Sequence, residues 1–348
     1  MAAFIAAIPF TQIRADVTVR PDNPEIAYSG RISWRNPEAP AFSYPGTSAS
    51  LRFTGSSVTM LAKPGSGYFM VELDGREPFK INFTDGDSAI TIADGLSNDN
   101  HQLRVSYAIE GYEKRPEFRG FKLSDGGRML ERPQRSERRI EFIGNSITCG
   151  YGIEADSANM RFAYATENHF YTYAAQTARR LGADYNVVAR SGIGMYRNYG
   201  GPAEGTPEGC LPALYDRTLF YDATEKWDFS QFQPDVVCVN LGTNDMSVGK
   251  GDSVRYESAA RGFVKRLRGY YPKAKIVLLT GSMLTGKNLG IVRRALDRVA
   301  ADEREVYRFD MSPQDGSLGY GAAYHPSMRQ AAKMADELTE FLKSIMNW

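Results

Sequence analysis

The sequence predicts two domains of different class: an all-β sandwich, then an α/β domain with a parallel sheet and helices on both faces. Two patterns predict this. Before about residue 130, short alternating segments are separated by turn formers; from Ile140 onward, apolar runs alternate with stretches of helical periodicity. Between them Glu131–Arg139, ERPQRSERR, is polar and charged and reads as a linker. The expected boundaries are therefore 1–130, 131–139 and 140–348, and a chain of 348 residues has room for both domains.

In the first half the strand candidates are Ser48–Phe53, Ser57–Leu61, Tyr68–Leu73, Lys80–Phe83 and Gln102–Tyr107. Pro64-Gly65, Asp74-Gly75, Asp85-Gly86 and Asp94-Gly95 supply the turns. Short strands at regular spacing read as a sandwich or jelly roll. In the second half the apolar runs are Ile140–Ile143, Tyr185–Ala189, Val236–Leu241, Ile276–Thr280 and Val306–Phe309. One intervening stretch puts Tyr256, Ala260, Phe263, Leu267 and Tyr270 on one helical face. The last, after Pro326, aligns Ala331, Met334, Ala335, Leu338, Phe341, Leu342 and Ile345. Alternating β and α argues for a doubly wound parallel sheet of about five strands.

Composition narrows the function classes. A net charge of +1 without clustered Lys and Arg gives no footprint for nucleic acid. No apolar stretch reaches membrane-spanning length. The opening MAAFIAAIPF is apolar but lacks a basic n-region. It reads as an export-signal remnant or a vector-derived segment rather than a first strand. Cys149, Cys210 and Cys238 form neither a disulfide framework nor a metal-ligand spacing. Only His101, His169 and His325 are available for imidazole chemistry. His101 reads as a turn cap and His169 as an ordinary helix residue.

Four segments fall at the carboxyl ends of the predicted parallel strands, where open α/β folds place their sites. They are Gly144-Asn145-Ser146, Arg190–Gly194, Gly242-Thr243-Asn244-Asp245 and Tyr324-His325-Pro326. A Ser delivered by a strand–Gly turn is a typical nucleophile position, although that fragment alone is equally a helix cap. Gly281–Lys287 has the spacing of a phosphate-binding loop, but Asn288 stands where that motif needs Ser or Thr for Mg²⁺. It reads instead as a loop edging the site.

Together these segments resemble the SGNH (GDSL-type) hydrolases, and most of the chain is similar to carbohydrate esterase family 2. In that family a small jelly roll precedes the SGNH domain, and its members deacetylate plant polysaccharides. The matching stretches include Phe118-Arg119-Gly120-Phe121, Ile143–Gly152 (IGNSITCGYG), Arg197-Asn198 and Asn240–Asp245. The resemblance implies Ser146 as nucleophile and His325 as its base. It implies an oxyanion hole from the Ser146 and Gly194 amides and the Asn244 side chain, with Gly192 the alternative if the loop register is off by two. Asp245 reads as a loop brace. Tyr151, Arg197, Tyr199 and Met283 lie near the motifs and are expected substrate contacts. The chain departs from the family pattern where an acid usually precedes the His: Ala322 and Ala323 stand there. Asp310 and Asp315 lie upstream, but nothing requires them to loop back. A Ser–His dyad, with a main-chain carbonyl accepting from Nδ1–H, is the expectation.

The implied reaction is two-step acyl transfer with no metal or cofactor. The implied substrate is an O-acetylated xylan- or mannan-type polysaccharide or oligosaccharide, met by a secreted or periplasmic enzyme. A short-chain or lipid esterase, or a catalytically silent glycan-binding protein, are the alternatives.

Overall fold

The computed structural model describes residues 16–348; the opening apolar segment lies outside them. Twelve short strands come first: β1 (Val17–Val19), β2 (Ala27–Ser29), β3 (Ile32–Ser33), β4 (Ala41–Phe42), β5 (Ser48–Thr54), β6 (Val58–Ala62), β7 (Gly67–Leu73), β8 (Phe79–Phe83), β9 (Ala89–Ala93), β10 (Asn100–Tyr107), β11 (Phe118–Leu123) and β12 (Arg128–Met129). They pair antiparallel into one sheet of order β1-β11-β6-β9 and another of order β12-β5-β10-β7-β8, with β2 also on β5, while β3 and β4 pair with each other. Alternation decides which face is buried. Ala49, Leu51 and Phe53 of β5 and Val58, Met60 and Ala62 of β6 point inward and share one core with Phe69, Leu103 and Phe121. Two sheets closing on one apolar core make a sandwich.

The second half holds the strands β13 (Arg139–Gly144), β14 (Asp184–Ala189), β15 (Val236–Val239), β16 (Lys275–Thr280) and β17 (Val306–Asp310). All pair parallel, in the order β14-β13-β15-β16-β17. β13, β15, β16 and the edge strand β14 are buried almost throughout, as expected for a parallel sheet covered on both faces, whereas β17 at the other edge is half-exposed. The principal helices are α1 (Ser146–Cys149), α2 (Tyr173–Arg180), α3 (Leu211–Leu214), α4 (Ser253–Tyr270), α5 (Gly286–Ala301) and α6 (Met328–Met346). Tyr173, Met334 and Leu338 of α2 and α6 cover one face of the sheet. Tyr256, Phe263, Val292 and Leu296 of α4 and α5 cover the other. The strand order reverses direction at β13, so the crevice beyond the carboxyl ends of β13 and β15 is the switch point where such folds bind ligands.

The domains are joined through buried polar contacts. Arg31, fully buried, pairs with Glu141 of β13 at 3.2 Å. Gly30 N–H donates to Asn186 Oδ1 at 2.9 Å, and Phe220 N–H to Ser43 Oγ at 2.7 Å. Buried pairs of this kind specify geometry more than they add stability, but losing one partner typically costs 3–5 kcal/mol, roughly.

Candidate active site

Ser146 is placed by the turn from β13 into α1. A Cβ on Gly144 would lie 2.0 Å from Thr148 Oγ1, so only glycine lets the chain turn this tightly. Asn145, not Ser146, caps α1: its side chain accepts from Ile147 N–H at 3.1 Å. That leaves the Ser146 hydroxyl for other work, and Oγ donates to His325 Nε2 at 2.9 Å. The other ring nitrogen, Nδ1, lies 3.0 Å from the Ala322 main-chain oxygen. A carbonyl only accepts, so the proton sits on Nδ1 and Nε2 is the acceptor for Ser146.

The loop before His325 is strained to achieve this. Ala323 and Tyr324 have φ of 48° and 60°, a left-handed pair of non-glycine residues. The turn aims the Ala322 carbonyl back at His325, where it accepts from both Nδ1–H and the His325 amide at 3.0 Å. Asp310 and Asp315 do not approach. Asp310 binds Thr280 Oγ1 at 2.7 Å and Arg308 at 2.6 Å, and Asp315 accepts from Ser317 N–H at 2.9 Å.

Tyr151 stacks on the His325 ring at 4.2 Å and 28°, and Phe162 stacks behind Tyr151 at 4.5 Å. Burial lowers His325 to a pKa of about 4, only partly offset by its main-chain acceptor. The resting imidazole is thus neutral, the form a base needs.

Ser146, Gly192, Asn244 and His325 line one cleft of about 540 Å³. Among the described residues the Ser146 and Gly192 amides have no hydrogen-bond acceptor. Asn244 Nδ2 donates one hydrogen to Ile193 O at 2.7 Å, which orients the amide and leaves its second N–H free. Gly194 does not join this set. Its amide donates to Asn198 Oδ1 at 3.0 Å, and a Cβ there would meet Arg197 O at 1.9 Å, so it is packed inside its own loop. Gly192, two residues earlier, has φ +77° and open space around it. The loop register therefore favours Gly192.

Asp245 is the brace expected of it: its carboxylate accepts from the Met195, Tyr196 and Arg197 amides at 2.8–3.1 Å. Arg197, read as a substrate contact, is instead fully buried. Its guanidinium donates to the carbonyls of Gly201, Pro202, Asp245 and Ser247. Tyr151, Tyr199 and Met283 do line the cleft, and Tyr199 is 67% exposed. The 281–288 loop supplies Met283, Leu284, Thr285 and Asn288 to the cleft wall. His101 binds Asp74 and the Ser97 carbonyl in the sandwich. His169 is buried at the domain junction with Nδ1 on the Thr148 carbonyl, in a short 3₁₀ turn rather than in a helix proper.

Sequence reasoning missed three residues next to this site. Phe162 completes the ring stack. Glu110, from the sandwich, accepts from Ser191 N–H at 2.6 Å, and its own amide donates to Glu167 Oε2 at 3.2 Å. Cys149 lies within 4.8 Å of both carboxylates, a proximity its sequence spacing gave no hint of.

A doubly wound sheet with a Ser–His pair at its switch point defines a serine hydrolase fold, and comparison with known proteins narrows the class. Residues 28–133 match the carbohydrate esterase 2 N-terminal domain, and residues 142–333 match the GDSL-like lipase/acylhydrolase family. The chain is 36% identical over 335 residues to the cellulase/esterase CelE of Acetivibrio thermocellus; the match covers 94% of this chain and 40% of that protein. It is 28% identical to an acetylxylan esterase/glucomannan deacetylase of Cellvibrio japonicus, covering 99% and 96% of the two chains. A family two carbohydrate esterase from Clostridium thermocellum, solved with cellohexaose, superposes with a TM-score of 0.86 at 36% identity, covering 93% of this chain and 99% of that one. The chain belongs to carbohydrate esterase family 2, within the GDSL-like acylhydrolases, and is an esterase.

Proposed function

We propose that this esterase removes O-acetyl groups from xylan- or mannan-type polysaccharides through an acetyl-enzyme on Ser146. The observation that carries the reading is the 2.9 Å Ser146 Oγ–His325 Nε2 contact at the switch point, beside three convergent N–H donors. His325 takes the Ser146 proton as Oγ attacks the acetyl carbonyl. The Ser146 and Gly192 amides and Asn244 Nδ2 receive the developing oxyanion. His325 then protonates the departing sugar oxygen, which leaves as a hydroxyl, and the same steps with water as nucleophile, activated by His325, release acetate and free Ser146.

Two features favour a small acyl group and a large alcohol. The apolar space beneath Ser146, walled by Ile147, Tyr173, Pro326 and Met334, has no room even for a water molecule, so a fatty chain finds no bed there. The cleft itself is open, and the exposed Tyr199 offers a flat face to a sugar ring. The relatives named for acetylxylan and glucomannan support the same substrate class. A polymeric substrate puts this work outside the cytoplasm. Among the described residues no helix is long and apolar enough to cross a membrane. The test is acetate release from acetylated xylan and acetylated glucomannan, compared with hydrolysis of p-nitrophenyl acetate and palmitate. Release from the polymers and failure on palmitate is the expected pattern; preference for palmitate would refute it.

A further inference from the structure

The oxyanion loop is gripped from two sides. On its far side Asp245 holds the amides of residues 195–197, and Asn244 holds the Ile193 carbonyl. On its near side Arg190 N–H reaches the Gly144 carbonyl at 3.4 Å, and the side-chain partners come from the other domain. Glu110 and Tyr112 sit in the segment that leaves β10 of the sandwich. Glu110 Oε1 accepts from Ser191 N–H at 2.6 Å, and the Tyr112 ring lies 4.4 Å from the Arg190 guanidinium carbon. The same segment is anchored on the α/β domain by His169 N–H, which donates to the Ala108 carbonyl at 2.7 Å.

We infer that the sandwich domain positions the oxyanion hole: Glu110 and Tyr112 hold residues 190–191 so that the next amide, Gly192 N–H, stays in the cleft beside Ser146. This rests on the esterase reading above. Gly192 has φ +77° and nothing within 4 Å of where a Cβ would lie; its carbonyl accepts from Tyr199 N–H at 2.8 Å, but among the described residues its amide has no acceptor. The direction of that amide is set by the peptide between Ser191 and Gly192, and a glycine peptide held on one side only has many alternatives.

The Glu110 carboxylate is suited to this. Its Oε1 reaches Ser191 N–H at 2.6 Å, short for N–H···O. Its neighbour Glu167 is fully buried, and burial, followed by the nearby Glu110 charge, raises Glu167 well above the usual carboxylate range. Glu167 holds the Glu110 main chain, accepting its N–H at 3.2 Å, while the Glu110 side chain accepts from Ser191. Glu110 and Tyr112 are positioning residues; neither touches the reacting atoms.

The test uses p-nitrophenyl acetate, which has no sugar, so the outcome is independent of the glycan assignment. Glu110→Ala is expected to lower kcat about ten- to a hundredfold, about 1.4–2.7 kcal/mol, with KM within about threefold. Glu110→Gln keeps a side-chain acceptor and is expected to remain within about threefold of wild type. Tyr112 is 37% exposed, so Tyr112→Leu tolerates the change in fold; a kcat loss of about fivefold at constant KM is expected. A folded Glu110→Ala with wild-type kcat overturns the inference, as does a Gln variant as impaired as the Ala variant. Should Glu110→Ala not fold, an unchanged kcat in Tyr112→Leu overturns it and the fivefold loss supports it. Absence of any acetyl-ester turnover by the wild-type chain would count against the esterase reading instead.

Discussion

Truncating Asn244 to Ala separates catalysis from folding. The side chain is 6% exposed, and its amide is oriented by the 2.7 Å bond from Nδ2 to the Ile193 carbonyl. One N–H therefore serves the loop, and the other is the oxyanion donor. Removing one such donor typically costs about 2.7–4 kcal/mol of transition-state stabilisation, a loss of about 10²–10³ in kcat. The structural cost is smaller: one hydrogen bond is worth about 1 kcal/mol net. The loop also keeps the three amides bound to Asp245. For a protein of this size that corresponds to a fall in Tm of no more than about 4 °C. Steady-state kinetics on p-nitrophenyl acetate with calorimetry on the same samples reads both quantities. A KM that rises while kcat stays level would refute the assignment and make Asn244 a ground-state contact. A collapse in Tm would show that the loop depends on Asn244 more than the geometry indicates.

Three further outcomes follow from the geometry around His325. Its pKa is lowered to about 4, so the neutral base persists as pH falls below the ordinary imidazole value. The acid limb of kcat/KM is expected near pH 4, and a limb near 6.5 would mean a solvated, unshifted ring. Asp310→Asn and Asp315→Asn are each expected to leave kcat within about tenfold of wild type, a barrier change of about 1.4 kcal/mol or less, because neither carboxylate reaches His325. A thousandfold loss in either would restore an acid to the site. Without a carboxylate, the imidazolium formed during attack is faced by the Tyr151 ring at 4.2 Å. Tyr151→Phe keeps that π face and should retain activity, while Tyr151→Leu should lose about 1 kcal/mol, roughly fivefold in kcat. Equal rates in the two variants would rule out the stabilisation.

Much of this molecule is legible in the sequence because periodicity reports burial directly. The runs at 140–143, 185–189, 236–241, 276–280 and 306–309 each contain a parallel strand, within a residue or two at the ends. The stripe from Ala331 to Leu342 is buried as its spacing implies, with Phe341 and Ile345 half-buried at its margin. Ser146 and His325 stand out because few strand-end hydroxyls and few imidazoles compete for the role. The failures have a common cause, which is that loops are arranged by contacts distant in sequence. Gly192 and Gly194 share one loop, and what tells them apart is tertiary: the Asn198 side chain on the Gly194 amide and the Arg197 carbonyl packed against the Gly194 Cα. Arg197 reads as a substrate contact, but four carbonyls from two loops hold its Nε and Nη1 in the interior. Glu110 lies 81 positions from its partner Ser191, in the other domain, and nothing local marks it.

The most direct test of the central claim is rapid-quench peptide mass spectrometry after mixing the enzyme with p-nitrophenyl acetate. The account predicts one acetyl group on the peptide carrying Ser146, formed within the first turnover and absent from a Ser146→Ala variant that is folded and inactive. Turnover by Ser146→Ala, or steady acetate release with no acetylated Ser146 peptide at any time point, would contradict it.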